Sequence, residues 1–177
     1  MGLTGPAQRG NRMRLLVIDG QGGGLGKQLV AALSAQCPQA QLTAVGTNSL
    51  ATSAMRKAGA VRTATGENAV VVNCRHADII VGPIRYQCRR ADVIAGVTGI
   101  LHANAMLGEI SPAIAAAVSL SEAQKVLVPL ERCGLRIAGV GKQPLDSLIR
   151  EAARMICALC GYPVDGSEQQ KRGESST

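Results

Sequence analysis

The sequence predicts an α/β fold, a doubly wound and mostly parallel sheet in a single domain, and three observations carry that expectation. Short apolar runs alternate with segments of helical spacing, the pattern of successive βαβ units. A glycine-rich turn lies between the first apolar run and the first helical segment. The chain has 177 residues, 46% hydrophobic and 18% charged, enough for one domain with a real core and too few for two ordinary ones.

In order along the chain, Met13 to Ile18 is apolar except for Arg14 and ends in glycines, as a buried parallel strand does. Leu25, Leu29 and Leu33 then recur at helical spacing. Gln41 to Val45 reads as a second strand, Leu50 to Ala58 as a helix closed by Gly59, and Ala60 to Thr63 as a short third strand. Glu67 to Asn73 fits helix or strand by pattern, and its place before an apolar strand favours helix. Ser111-Pro112 supplies a capping hydroxyl and a proline at the first helical position, leading into an Ala-rich helix to Val118. Lys125 to Leu130 reads as a strand and Leu135 to Val140 as a final one. Pro144 then opens a helix whose Leu145, Leu148, Ile149, Ala152, Ile156 and Leu159 form one apolar face, closed by Gly161 and Pro163. That helix is expected to pack on the sheet or on a partner. Residues 1–12 and 163–177 lack apolar periodicity and read as mobile tails around a domain of 13–162.

One unit occurs twice: Cys74 to Gly82 is echoed by Cys88 to Gly96, each with an Ala-Asp pair before an apolar core. The gap between the cores is shorter than the dozen or more residues a parallel crossover needs, so both cannot be neighbouring parallel strands. One copy takes a strand position, and the other forms an added loop or edge that brings Arg85, Arg89 and Arg90 to the surface.

Composition narrows the function classes. No apolar run approaches the ~20 residues of a bilayer crossing and no secretion signal opens the chain, which makes the cytoplasm the expected compartment. The net charge is +7, but aromatic content is 1%, so the stacking platforms of single-stranded nucleic-acid binders are missing. Six cysteines without a signal point to reduced thiols, with Cys157 and Cys160 as buried helix cysteines rather than half of a metal or redox site.

The strongest chemical signal is Ile18 to Lys27, in which Gly20, Gln21, Gly22, Gly23, Gly24, Leu25, Gly26 and Lys27 sit where the first strand turns into the first helix. Glycines there let the backbone turn tightly and approach a ligand. A phosphate would meet backbone N–H groups at the positive end of the helix dipole, with Lys27 adding charge. This is a Rossmann-like arrangement, read as the binding turn for a small-molecule nucleotide. A P-loop fits poorly: Gln21 holds the position of its leading glycine, and Gln28 replaces the hydroxyl that would bind magnesium. Asp19 would repel a pyrophosphate unless hydrogen-bonded away, as an Asx-type cap.

At the end of the second strand, Gly46, Thr47 and Asn48 lie where an NAD site presents an acid to the ribose, yet no Asp or Glu occurs between Asp19 and Glu67. NAD(P) is thus the expected cofactor, with NADP favoured over NAD through Asn48, Ser49 and Arg56 and another nucleotide altogether as the alternative, and Thr47 and Asn48 either line the ribose or cap the next helix. Catalytic residues are less legible. Tyr86 is followed by Arg90 where a short-chain dehydrogenase has lysine, and arginine does not replace it. Asn104 and Glu109 remain as candidates, Glu109 as a general base or a junction cap, while His102 reads as structural.

The stretches 18–27, 46–52, 64–69, 105–112 and 131–133 together resemble a family of short, uncharacterised bacterial Rossmann-like proteins carrying a domain of unknown function. The resemblance spans most of residues 13–160, implies the doubly wound fold, and names no reaction. In that family Gly-Pro-Ile-Gly-Ile runs directly into the Ala-Asn segment, whereas here the duplicated stretch separates Gly82-Pro-Ile84 from Gly99-Ile100. The expectation is a nucleotide-binding module. The alternatives are a dinucleotide-dependent oxidoreductase and an assembly subunit, a homo-oligomer, that uses its glycines only for packing.

Overall fold

The computed structural model describes residues 13–74, 91–130, 136–141 and 143–162. Among the described residues, five parallel strands form one sheet: β1 (Arg14–Asp19), β2 (Gln41–Gly46), β3 (Arg62–Thr65), β4 (Val93–Val97) and β5 (Gln124–Val128), in the order β3-β2-β1-β4-β5. The sheet reverses its winding between β1 and β4, so the doubly wound α/β expectation holds. β1 sits at the centre, and Leu15 to Ile18 are buried on both faces, which explains its unbroken apolar run.

Helix α1 (Gly24–Gln36) packs between α2 (Ser49–Lys57) and α5 (Leu145–Leu159), and α3 (Glu67–Cys74) pairs with α4 (Pro112–Leu120). Leu29 and Leu33 of α1, Ile114 and Val118 of α4, and Ile149 and Ile156 of α5 carry the helical share of the core. Caps fall where their chemistry predicts: Asn48 accepts the Ala51 amide at 2.9 Å, and Ser111 accepts that of Ile114 at 3.2 Å ahead of Pro112.

Several expectations are corrected. The third strand runs from Arg62 to Thr65, two residues later than the pattern suggested, because Gly59 in a left-handed conformation first carries the chain out of α2. The strand expected at Leu135–Val140 is not formed over its described residues, 136–140: Gly139 has φ +84° inside a turn, and β5 is the last strand of the sheet. Cys37 and Cys157, expected as thiols, are joined as a disulfide between the C-cap of α1 and the last turns of α5. No spacing rule links them, since 120 residues intervene and only packing of α5 on α1 brings them together.

The second copy of the duplicated unit provides β4. Asp92, just before that strand, accepts the Arg14 amide at 2.7 Å, and its oxygens receive Arg14 Nε at 3.2 Å and Nη2 at 2.8 Å. This two-pronged, half-buried pair seats the start of β4 beside the start of β1. Replacing Asp92 with alanine is expected to lower stability by about 1–3 kcal/mol, read as a lower urea midpoint at unchanged slope. Residues 75–82 of the first copy lie outside the described residues, as do Arg85 and Tyr86 between the copies and Arg89 and Arg90 of the second.

Candidate functional site

The turn after β1 is built around Asp19. This side chain is 4% exposed, and its two carboxylate oxygens accept the amides of Gly20 at 2.9 Å and Gly26 at 2.6 Å. The acid thereby holds the strand end to the first turn of α1, and its charge is turned inward rather than toward a ligand. Burial pushes its pKa above the ordinary 3.8, the two amide bonds oppose that shift, and the charge of Glu109 adds to it. Gln21 (φ +49°) and Gly23 (φ +70°) turn the chain, and the Gly23 amide closes the turn on the Gly20 carbonyl at 3.0 Å.

The glycines divide into two groups by what a side chain would meet. A Cβ at Gly26 would lie 2.6 Å from the Asp19 Cβ and 2.7 Å from Met55 Sδ, so that glycine serves strand–helix packing. One at Gly23 would strike the backbone of Ala51 at 2.7 Å, and one at Gly20 would lie 2.7 Å from Glu109 Oε2. At Gly22 and Gly24 a Cβ would meet nothing within 4 Å, and neither residue has a positive φ. The described protein gives those two glycines no steric reason to be glycine.

Beside them opens a cavity of about 300 Å³. The loop from Asp19 to Leu25, with Gln28, forms one wall; Val97, Gly99, His102, Ala105 and Met106 form another; Leu130 and Leu145 close it with apolar surface. It lies where ligands bind in open α/β sheets, at the carboxyl ends of the strands beside the switch point. The amides of Gly22, Gly24 and Leu25 have no hydrogen-bond partner among the described residues. Lys27 is exposed and does not line the cavity, so the charge expected from it is not delivered there; neutral Gln28 takes that place one residue on.

Glu109 behaves unlike either reading of the sequence. Its Oε2 accepts the Gln21 amide at 2.7 Å, the Thr47 hydroxyl at 2.5 Å and the Asn48 side-chain amide at 3.0 Å. One carboxylate from the segment before α4 thus ties the glycine loop to the end of β2. Partial burial works to raise its pKa, but the bonds from Thr47, Gln21 and Asn48 together outweigh burial and hold it below the ordinary 4.5. This overturns the premise for NADP: an acid does stand at the end of β2, brought from 62 residues beyond Thr47 and 61 beyond Asn48, and its charge opposes a ribose phosphate. Gly46 packs against Thr52 and Asn48, and Thr47 and Asn48 face Glu109 rather than the cavity.

Asn104 does not join Glu109. It is exposed with φ +65°, its backbone amide meets the Ile110 carbonyl at 2.6 Å, and its side chain neither lines the cavity nor touches the carboxylate. His102, set aside as structural, lines the cavity, as do Met106, Leu130 and Leu145. No motif marks these four, which reach one place only through the chain crossings.

No match is found among curated proteins. A solved structure, a dodecameric FMN-dependent UbiX-like decarboxylase from Escherichia coli O157:H7, is similar over 88% of this chain and 98% of its own, with 13% identity and a TM-score of 0.47. A likeness at that level carries no argument about ligand or assembly. No helix among the described residues is long and apolar enough to cross a membrane. Residues 14–86 and 83–160 match one family, the two matches meeting at 83–86, between the two copies of the duplicated unit. The chain belongs to that family, described as a domain of unknown function (DUF3842).

Proposed function

We propose that this chain is a nucleotide-binding module whose phosphate sits at the turn from Gly20 to Leu25. The observation that carries this reading is the pair Gly22 and Gly24, which open on the cavity where neither packing nor backbone conformation calls for glycine. Glycine in such a place keeps room for a ligand's close approach, and the unpartnered amides beside it are donors at the positive end of α1. Of the residues expected at the site, Gly20, Gln21, Gly22, Gly23, Gly24 and Leu25 remain in this reading. Gly26 supports the turn, and Lys27 acts only at long range. NAD(P) stays among the ligands to be tried, without preference for NADP.

Binding suits the site better than catalysis, because the described lining of the cavity is mostly apolar and its titratable side chains among the described residues are the inward-bonded Asp19 and His102. The test separates fold from ligand. Gly22→Ala and Gly24→Asp are expected to leave thermal stability within about 1 kcal/mol of wild type, since both positions tolerate a side chain and an acid favours a helix N-terminus. Both are expected to abolish the melting shift that a saturating nucleotide gives the wild-type protein. Retained shifts in both variants would remove the glycine loop as the site. An assembly role draws on Met155 and Leu159, 50% and 39% exposed on α5, and predicts a stable oligomer by light scattering with no nucleotide response.

A further inference from the structure

Resting on that reading, we infer that the ligand is a mononucleotide, one phosphate bearing one ring system, and that the site excludes dinucleotides. In a dinucleotide site of this topology the ligand straddles the switch point, and its adenylate half crosses the first glycine toward the end of β2. Here that route is filled. The space above Gly20 is occupied by Glu109 Oε2, Thr47 Oγ1 and Met106 Sδ, within 2.7, 2.8 and 2.9 Å of where a Cβ would stand. The carboxylate that fills it also holds Gln21, Thr47 and Asn48, so the closure is a bonded structure rather than a loose side chain.

The segment carrying Glu109 is held against a backbone cost. Asn104, Met106 and Leu107 have φ of 65°, 56° and 59°, a region that costs L-residues of order 1 kcal/mol each. Leu107 is in addition 95% exposed. What keeps the segment in place is the Glu109 cluster at one end and the fully buried Ile110 next to it. The same segment that shuts the β2 side lends Ala105 and Met106 to the cavity wall on the β4 side. What stays open is a volume of about 300 Å³, at the small end of the roughly 300–1,000 Å³ of ligand pockets, with apolar Val97, Leu130 and Leu145 to receive a ring. Amide donors gather at one end of it only, enough for one phosphate.

The experiment uses matched pairs that differ by one adenylate, FMN with FAD and NMN with NAD, together with AMP, GMP, CMP and UMP, titrated calorimetrically against the full-length protein. At least one mononucleotide is expected to bind, and where a paired one does, at least tenfold more tightly than its dinucleotide. Glu109→Ala is expected to narrow that gap by opening the route to β2. Met106→Ala, which removes Sδ from the same space above Gly20, serves if the Glu109→Ala variant does not fold. A dinucleotide binding as tightly as its mononucleotide partner in the wild-type protein overturns this inference and leaves the nucleotide reading standing. A panel silent throughout overturns the nucleotide reading itself, and this inference with it.

Discussion

Replacing Asp19 with alanine is expected to destabilise the fold by about 2–4 kcal/mol, although the residue removed is a buried carboxylate. Two terms compete. Taking away a desolvated acid relieves the penalty that raises its pKa. Against that, the amides of Gly20 and Gly26 lose their acceptor inside a site too closed for water to replace it, and each orphaned donor costs about 1–3 kcal/mol. The second term wins because two donors depend on one side chain and because those bonds join β1 to α1. Asp19→Asn should cost about half as much, since one oxygen still accepts while the new amide group faces the other donor.

The pH dependence has a definite sign. A carboxyl whose folded pKa lies above its unfolded value binds its proton more readily when folded, so its contribution to stability is full below about 3.8 and falls as pH rises through the folded pKa. The lead of wild type over Asp19→Asn should therefore narrow as pH rises from below 4 toward neutrality. Urea unfolding of both proteins across that range measures it, and a lead that widens with pH would contradict the buried, inward-bonded acid. Glu109 acts in the opposite sense, losing its contribution as pH falls below 4.5, but it is common to both proteins and largely cancels in the difference.

How far the sequence reaches is visible in particular elements. β1 is legible because a central parallel strand is apolar on both faces, and α4 because Ser111 and Pro112 announce a helix start in two adjacent residues. Both signals are local. The duplicated unit is not decidable locally, since each copy carries an Asp before an apolar core; Arg14 decides it, 78 residues from Asp92. The candidate site divides in the same way. Its glycine loop is a contiguous motif, so its position was readable, and so was the need for Asp19 to be bonded away from a phosphate. The acid at the end of β2 leaves no mark in β2 itself, because it arrives through space from Glu109, and its charge removes the ground for preferring NADP. The apolar side of the cavity, from Val97 to Leu145, has no sequence mark because its residues are ordinary core types until the strands align them.

Reduction of the Cys37–Cys157 disulfide is expected to lower stability by about 2–4 kcal/mol, a fall in Tm of roughly 5–15 °C for a chain of this size. The bridge closes a sequence separation of 120 residues, so in the chain-entropy account it restricts the unfolded ensemble strongly, by up to about 5 kcal/mol. Some of that is recovered without it, because Ile149, Ala152, Ala153 and Ile156 continue to bury α5 when the sulfurs are thiols. Both sulfurs belong to residues only 3% exposed, so a small reductant gains access through local opening, and reduction should be slow under native conditions and fast in mild denaturant. Cys37→Ser is expected to reproduce the stability of the reduced protein, and Cys160→Ser, which removes a free and partly exposed thiol at the C-cap of α5, to leave the response to reductant intact. Differential alkylation before and after reduction identifies the bridged pair directly. Equal melting temperatures with and without reductant, with Cys37 alkylated from the outset, would return these residues to the buried thiols that composition suggests.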